Sequence, residues 1–160
     1  MGVSVGTVAP PSTSADFAGV NMAANSRTIL VVEDNEDNRI IYGTMLRAHG
    51  FVVHEADGGE TALRMARSSP PNLVLMDIGL PMMDGVEATR LLKQDPLTAK
   101  IPVLALTAHA LLAERQRALQ AGVDGYLVKP IVSSVLVREI ERALQQAHDR
   151  QSAPSSLKGP

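Results

Sequence analysis

Cysteine and tryptophan are both absent from the 160-residue sequence. Without cysteine the chain can form neither a disulfide nor a thiolate zinc site, and it has no cysteine nucleophile. Aromatic residues make up only 2% of the chain, which leaves no row of rings on which single-stranded bases could stack. No apolar run reaches the ~18 residues that a membrane-spanning helix needs. We therefore expect a soluble, cytoplasmic protein with no membrane partner.

The charge balance argues against nucleic acid as a partner. Lysine and arginine together number 15 against 17 aspartates and glutamates, so the formal net charge is -2. Binding to nucleic acid irrespective of sequence needs a clustered positive surface, and the composition offers no such excess. Hydrophobic residues account for 45% of the chain, which is enough to fill the core of one domain.

Both ends of the chain differ in composition from its middle. Residues 1–27 contain several glycine, proline and serine residues, and Asp16 and Arg27 are their only charged side chains. They show no helical or alternating pattern, so we predict a disordered N-terminal tail over residues 1–27. Residues 148–160 are predicted to form a polar C-terminal tail. The folded domain is expected at residues 28–147.

Between the tails, short apolar runs alternate with stretches of helical periodicity. The runs are Ile29–Val32, Phe51–Val53, Leu73–Met76, Val103–Leu106 and Gly125–Val128, and the helical stretches are roughly 36–49, 58–68, 84–94, 110–121 and 131–147. Mostly unbroken apolar runs are typical of parallel strands buried on both faces. The pattern predicts an α/β fold with a doubly wound, five-stranded parallel sheet, five helices and right-handed crossovers.

Polar side chains follow four of the five predicted strands. Glu33 and Asp34 come after the first strand, Asp77 after the third, Thr107 after the fourth and Lys129 after the fifth. A polar residue at a single strand end has no special meaning, because loops are polar. In open parallel sheets, however, ligands bind at the carboxyl ends of the strands. We therefore expect these five side chains to meet at one functional edge.

The residue types at this edge favour phosphoryl chemistry. Clustered carboxylates disfavour one another's ionisation unless a cation joins them, and Mg²⁺ prefers oxygen ligands. Lys129 offers a point charge for a phosphoryl group, and Thr107 offers a hydroxyl donor. Neither a Walker-type phosphate loop nor a Gly-x-Gly-x-x-Gly motif is present, so a nucleotide substrate is not expected. The phosphoryl acceptor would be a carboxylate, which can act as a nucleophile without a general base.

Four stretches of the sequence resemble the receiver domain of two-component response regulators. They are Ile29–Asn35 (ILVVEDN), Asp77–Gly85 (DIGLPMMDG), Ile101–Ala108 (IPVLALTA) and Gly125–Pro130 (GYLVKP). The resemblance covers residues 28–147, and it is closest to DivK-like single-domain regulators and to the receivers of hybrid kinases. It implies a flavodoxin-like sheet with strand order 2-1-3-4-5.

The resemblance also implies a role for each residue at the predicted edge. Asp77 would accept a phosphoryl group from the phosphohistidine of a sensor histidine kinase or of a histidine phosphotransfer protein. Mg²⁺ would be bound by Asp34, by Asp77 and by the backbone carbonyl of Gly79, with Glu33 acting through a water molecule. Glu33 stands where many receivers carry aspartate, and Glu-Asp is a common variant.

The remaining implied roles concern the response to phosphorylation. Lys129 would pair with Asp77 and later with the phosphoryl group, and the Lys129–Pro130 peptide bond is expected to be cis. Thr107 would move toward the phosphoryl oxygens, and Tyr126 would rotate inward with it. A tyrosine that only fills core space is the alternative interpretation of Tyr126.

Two positions are unusual or of special interest within the resemblance. Gly79 lies where receivers normally carry a side chain that overhangs the phosphoryl group, and His109 occupies the other position that modulates hydrolysis. We hypothesise that Gly79 leaves the acyl phosphate open to water, while His109 sets the direction of the final effect. The alternative for His109 is an exposed residue near the start of a helix.

The predicted output is a changed protein–protein surface rather than a separate effector domain. Residues 148–160 are too few for a helix-turn-helix or an enzyme, so we expect a stand-alone receiver and not an enzyme acting on a separate substrate. Phosphorylation would switch the face formed by the fourth helix, the fifth strand and the fifth helix, and so change the binding of a downstream target.

Two alternatives use the same acceptor residue. A Mg²⁺-dependent phosphatase with an aspartyl-phosphate intermediate would place a second acid two residues after its nucleophile, where this chain has Gly79. A phosphorelay intermediate would pass its phosphoryl group onward to a histidine phosphotransfer protein, and it differs from the main hypothesis only in its partners.

Overall fold

The structure, a computed structural model, describes residues 26–153. The predicted N-terminal tail therefore lies outside the described residues except for its last two positions, and the predicted C-terminal tail does so after Ala153. Within the described residues, five strands alternate with five helices: β1 Thr28–Val32, α1 Glu36–Ala48, β2 Val52–Ala56, α2 Gly59–Ser68, β3 Leu73–Asp77, α3 Gly85–Gln94, β4 Val103–Thr107, α4 Leu112–Ala121, β5 Gly125–Val128 and α5 Ser133–Ser152.

The five strands form one parallel sheet in the order β2-β1-β3-β4-β5, which confirms the predicted fold class. Parallel pairing brings the carboxyl ends of the strands to one edge. Val32 of β1 pairs with Met76 of β3, and Asp77 pairs with Leu106 of β4. Glu33 follows Val32, Asp77 follows Met76, and Thr107 follows Leu106. These three residues therefore lie at the same edge of the sheet, as the sequence predicts.

Position within the sheet explains how deeply each strand is buried. β1, β3 and β4 have neighbours on both sides and are almost wholly buried, whereas β2 and β5 form the edges and are partly exposed. Tyr126 and Leu127 of β5 are only half-buried although the strand is apolar in sequence, because an edge strand has one uncovered side.

Helices cover both faces of the sheet and divide the core in two. On one face, α1 and α5 pack large side chains, among them Leu46, Leu136 and Ile140, against β1, β3 and β4. On the other face, α2, α3 and α4 contribute mainly small residues, including Ala62, Ala66, Ala88 and Ala118. Small residues allow three helices to lie close to the sheet, since interiors are packed to high density.

The helix boundaries agree with the sequence predictions except around α4 and α5. α4 begins at Leu112 rather than at 110, because Leu111 has an extended backbone (φ -81°, ψ 129°) and helical angles start only after it. α5 continues to Ser152, five residues beyond the predicted end at 147. Arg150 in this extension forms an ion pair with Asp124 (3.0 Å), which holds the last turns against the body of the domain.

Two of the helices end beside a glycine with a left-handed backbone conformation. Gly122 ends α4 with a φ of 104°, and Gly50 follows α1 with a φ of 85°. Glycine adopts these angles without a steric penalty, so the helices end where the sequence predicts. None of the helices in residues 26–153 has both the length and the apolar character that a membrane span requires.

Candidate functional site

Asp77 is the last residue of β3 and lies at the carboxyl edge of the sheet, with a relative exposure of 5%. Its Oδ2 is 3.1 Å from the Nζ of Lys129. Its Oδ1 accepts a hydrogen bond from the backbone amide of Gly79 (3.0 Å). The two oxygens are therefore fixed by different partners, and the carboxylate has one defined orientation.

The two acidic residues that follow β1 differ in exposure. Glu33 is buried, and its Oε2 accepts a hydrogen bond from Lys129 (2.8 Å). Asp34 is exposed to solvent. One carboxylate oxygen from each of Glu33, Asp34 and Asp77 lies within 4.8 Å of the others, so the cluster could hold a metal ion. The structure thus brings together four of the five side chains that were expected to meet at this edge: Glu33, Asp34, Asp77 and Lys129.

Burial and charge shift the pKa values of the two innermost groups. Burial raises the pKa of Glu33, and the nearby charge of Asp77 adds to this, against the lowering effect of Lys129. For Lys129, burial alone would lower the pKa, but the hydrogen bond to Glu33 and the charge of Asp77 outweigh it, so the pKa is raised. One ammonium group therefore serves two carboxylates and remains charged.

The donor set fits a hard divalent cation. The cluster contains three carboxylates and Lys129 pairs with only two of them, Glu33 and Asp77, so negative charge remains that Lys129 does not balance. Mg²⁺ is bound by carboxylate oxygens and retains water molecules, and the exposure of Asp34 leaves the cluster open to solvent. Gly79 lies beside the carboxylate of Asp77, where a backbone carbonyl could complete such a ligand set.

Thr107 ends β4 beside this cluster, and its backbone carbonyl accepts a hydrogen bond from the amide of Lys129 (2.7 Å). Its hydroxyl, however, contacts the carboxylate of Glu114 and the carbonyl of His109 (3.0 Å). Tyr126 donates to the same Glu114 oxygen (3.1 Å). His109 is an exposed residue of the loop before α4.

Two residues of the site were missed by sequence reasoning. Glu114 carries no motif of its own and becomes relevant only through its contacts with Thr107 and Tyr126. Gly85, the first residue of α3, lies so close to the end of β3 that an added Cβ would come within 2.1 Å of the backbone oxygen of Asp77. The sequence signal that could have identified Gly85 is its position at the end of the Asp77–Gly85 stretch, which resembles receiver domains.

The predicted cis peptide bond is confirmed: Lys129–Pro130 is cis in the structure. Thus the backbone immediately after β5 has the conformation that the resemblance implies, and Lys129 extends from it toward β1 and β3. The side chain crosses the end of the sheet to reach both Glu33 and Asp77.

Comparisons with known proteins agree with this geometry. Residues 29–141 match the response regulator receiver domain family. The polar-differentiation response regulator DivK of Brucella ovis is 36% identical over 122 residues, which covers 76% of this chain and 99% of the relative.

Solved structures give the same result. The receiver domain of sensor histidine kinase PA1611 from Pseudomonas aeruginosa, solved with a magnesium ion in its active-site cleft, is 38% identical with a TM-score of 0.71, covering 75% of this chain and 98% of that one. A CheY-like receiver domain from Methanospirillum hungatei is 26% identical with a TM-score of 0.74, covering 78% and 98%. The protein is therefore a member of the response regulator receiver domain family of two-component signalling.

Proposed function

We propose that this receiver accepts a phosphoryl group on Asp77 from a phosphohistidine donor, in a Mg²⁺-dependent reaction, and thereby switches its protein–protein contacts. The observation that carries the proposal is the setting of Asp77. Its carboxylate is nearly buried, oriented by the Gly79 amide and paired with Lys129, within a cluster that could hold a metal ion. The donor would be a sensor histidine kinase or a histidine phosphotransfer protein, in the cytoplasm.

The transfer requires a nucleophilic oxygen and a means of holding negative charge. A carboxylate oxygen of Asp77 would attack phosphorus, so an O–P bond forms while the P–N bond to the donor histidine breaks. Lys129 is already within 3.1 Å of Asp77 and would compensate charge on the phosphoryl oxygens. Its charged form is favoured because two carboxylates contact it, as its raised pKa indicates.

Asp34, Asp77 and the carbonyl of Gly79 would hold Mg²⁺, with Glu33 acting through water. When bound, Mg²⁺ supplies charge neutralisation for the phosphoryl and carboxylate oxygens. Glu33 has a further role in this proposal, because its hydrogen bond to Lys129 keeps the ammonium group beside Asp77.

The output would be carried by α4, β5 and α5. Thr107 would turn its hydroxyl toward the phosphoryl group, and Tyr126 would change position with it. Large apolar side chains are exposed on this part of the molecule and would be covered by a downstream target: Leu111, Leu112, Leu119, Val128 and Val132. A receiver that relays its phosphoryl group onward would use the same chemistry on Asp77.

The phosphatase alternative is not supported by the site. Such an enzyme needs an acid two residues after its nucleophile to protonate the leaving group. Gly79 occupies that position and has no side chain, and an added Cβ there would meet only the Oδ1 of Asp77, at 3.7 Å. We therefore retain the signalling proposal.

The test is intact-mass spectrometry after incubation with acetyl phosphate and Mg²⁺. Wild type should gain a single phosphoryl adduct, and Asp77→Asn should gain none, since an amide is not a nucleophile for this transfer. Asp57→Asn is the matched control, because Asp57 follows β2 at the same edge but is exposed and outside the carboxylate cluster. Labelling that persists in Asp77→Asn, or that is lost in Asp57→Asn, would contradict the assignment.

A further inference from the structure

Glu114 connects the two hydroxyl groups that the proposed function requires to move. It lies in the first turn of α4 and is half-buried. Its Oε1 accepts hydrogen bonds from the hydroxyl of Thr107 and from that of Tyr126, the latter at 3.1 Å. One carboxylate oxygen is thus the shared acceptor for a residue of β4 and a residue of β5.

The number of hydroxyl protons limits the hydrogen bonds that Thr107 can donate. Thr107 has one hydroxyl proton, and its acceptors in the structure are Glu114 and the carbonyl of His109 (3.0 Å). The His109 amide donates to the same hydroxyl oxygen (3.1 Å). The hydroxyl can donate to only one acceptor at a time. A hydrogen bond from Thr107 to a phosphoryl oxygen on Asp77 therefore requires release from these partners.

The hydroxyl of Tyr126 is held by the same two acceptors as that of Thr107. Its hydroxyl can donate to Glu114 or to the carbonyl of His109, which is 3.3 Å away. Hydrogen bonds to a carboxylate are about twice as strong as those between neutral groups. Of the two acceptors near each hydroxyl, the charged one at Glu114 therefore dominates.

We propose that Glu114 is a positioning residue that holds the hydroxyls of Thr107 and Tyr126 in the unphosphorylated arrangement and so opposes the turn of Thr107 toward a phosphoryl group. This inference rests on the proposed function. It predicts that neutralising Glu114 favours the state in which the site holds a phosphoryl group. Glu114→Gln preserves the shape of the side chain and one acceptor oxygen, removes the charge, and replaces the other oxygen by an NH2 donor.

A first-turn acid has another possible effect, because negative charge near a helix N-terminus stabilises the helix. Glu60→Gln serves as the matched control. Glu60 lies in the first turn of α2 and is exposed, and its side chain forms no hydrogen bond or ion pair with the residues that the structure describes. The Glu60→Gln variant loses the same charge, also from the first turn of a helix, but Glu60 does not contact Thr107 or Tyr126.

The first measurement needs neither phosphate nor metal. The chain has two tyrosines and no tryptophan, so in a Tyr42→Phe background the tyrosinate absorbance reports Tyr126 alone. Burial raises the pKa of Tyr126, and Glu114 raises it further through its hydrogen bond and charge, while Thr107 and Arg115 act in the opposite direction. Glu114→Gln should lower this pKa and Glu60→Gln should leave it unchanged. An unchanged value in Glu114→Gln would overturn the inference.

The second measurement is the affinity for beryllium trifluoride, a phosphoryl analogue, in the presence of Mg²⁺ by calorimetry. Glu114→Gln should bind it about two- to tenfold more tightly than wild type, the difference between a charge-assisted and a neutral hydrogen bond. Glu60→Gln should match wild type. Equal or weaker binding by Glu114→Gln would overturn the inference. If neither wild type nor the variants bind the analogue, but Glu114→Gln still lowers the pKa of Tyr126, the proposed function is contradicted. The hydrogen bonds to Glu114 are then supported independently of it.

Discussion

At the scale of single residues, the site depends on how one ammonium group is shared. The Nζ of Lys129 lies 2.8 Å from Glu33 and 3.1 Å from Asp77, and both carboxylates are nearly buried. Glutamate at position 33 has one more methylene than aspartate, and its carboxylate reaches Lys129. Breaking a buried charge pair usually costs more than the pair itself contributes, because the remaining charge stays desolvated. We therefore expect Lys129 to contribute to stability in addition to its role in the proposed function.

Gly79 leaves space above Asp77 that a larger residue would fill. An added Cβ would meet only the Oδ1 of Asp77, at 3.7 Å, so the position accepts a side chain without displacing its neighbours. We predict that Gly79→Asn shields the acyl phosphate from water and lengthens its lifetime by at least about twofold, equivalent to ~0.4 kcal/mol in the hydrolysis barrier. The loss of the adduct is followed by intact-mass spectrometry after acetyl phosphate is removed.

Gly58→Asn is the control for this prediction. Gly58 lies in the loop after β2, an added Cβ there would meet no atom within 4 Å, and asparagine is a favoured residue at this helix N-cap. It should have the wild-type lifetime. Identical lifetimes in wild type and Gly79→Asn would reject the hypothesis that the open space at Gly79 matters.

At the scale of elements, the junction of β3 and α3 positions Asp77, the proposed acceptor. The amide of Gly85 donates to the carbonyl of Ile78 (3.1 Å), and Asp84 caps the helix by accepting from the amide of Glu87 (2.8 Å). The helix therefore starts directly against the end of the strand that carries Asp77. The missing side chain at Gly85 is what permits this approach.

We predict that Gly85→Ala lowers the free energy of unfolding by roughly 1–3 kcal/mol, because its Cβ would come within 2.1 Å of the Asp77 backbone oxygen. The same displacement should slow phosphorylation of Asp77. Urea unfolding followed by circular dichroism provides the measurement. Gly58→Ala, where the added methyl group meets open space, should change stability by less than about 1 kcal/mol. Equal stability of Gly85→Ala and wild type would contradict the close-approach argument.

The element boundaries also show what local sequence determines. Strand cores and the stops at Gly50 and Gly122 follow from short-range pattern and backbone preference, and both were predictable. The end of α5 was not, because the ion pair between Arg150 and Asp124 joins residues far apart in sequence. The start of α4 was not predictable either, because Leu111 fits an apolar helical pattern but has an extended backbone.

At the scale of the whole molecule, parallel pairing explains why so much of the site could be predicted. Once the strands are parallel, the residues after β1, β3, β4 and β5 must share one edge, so Glu33, Asp34, Asp77 and Lys129 converge. The direction of a hydroxyl does not follow from topology. Thr107 was expected to serve the phosphoryl group, and in this structure its proton has acceptors at Glu114 and His109.

The central claim is that phosphorylation at Asp77 changes the surface formed by α4, β5 and α5. The most direct test is amide hydrogen exchange, measured by mass spectrometry, on wild type and Lys129→Ala with and without acetyl phosphate and Mg²⁺. Intact mass reports the adduct in the same samples. The account predicts that phosphorylated wild type changes its exchange in residues 112–121 and 125–128, and that Lys129→Ala carrying the adduct does not. A phosphorylated wild type with unchanged exchange there, or a Lys129→Ala variant that responds like wild type, would contradict it.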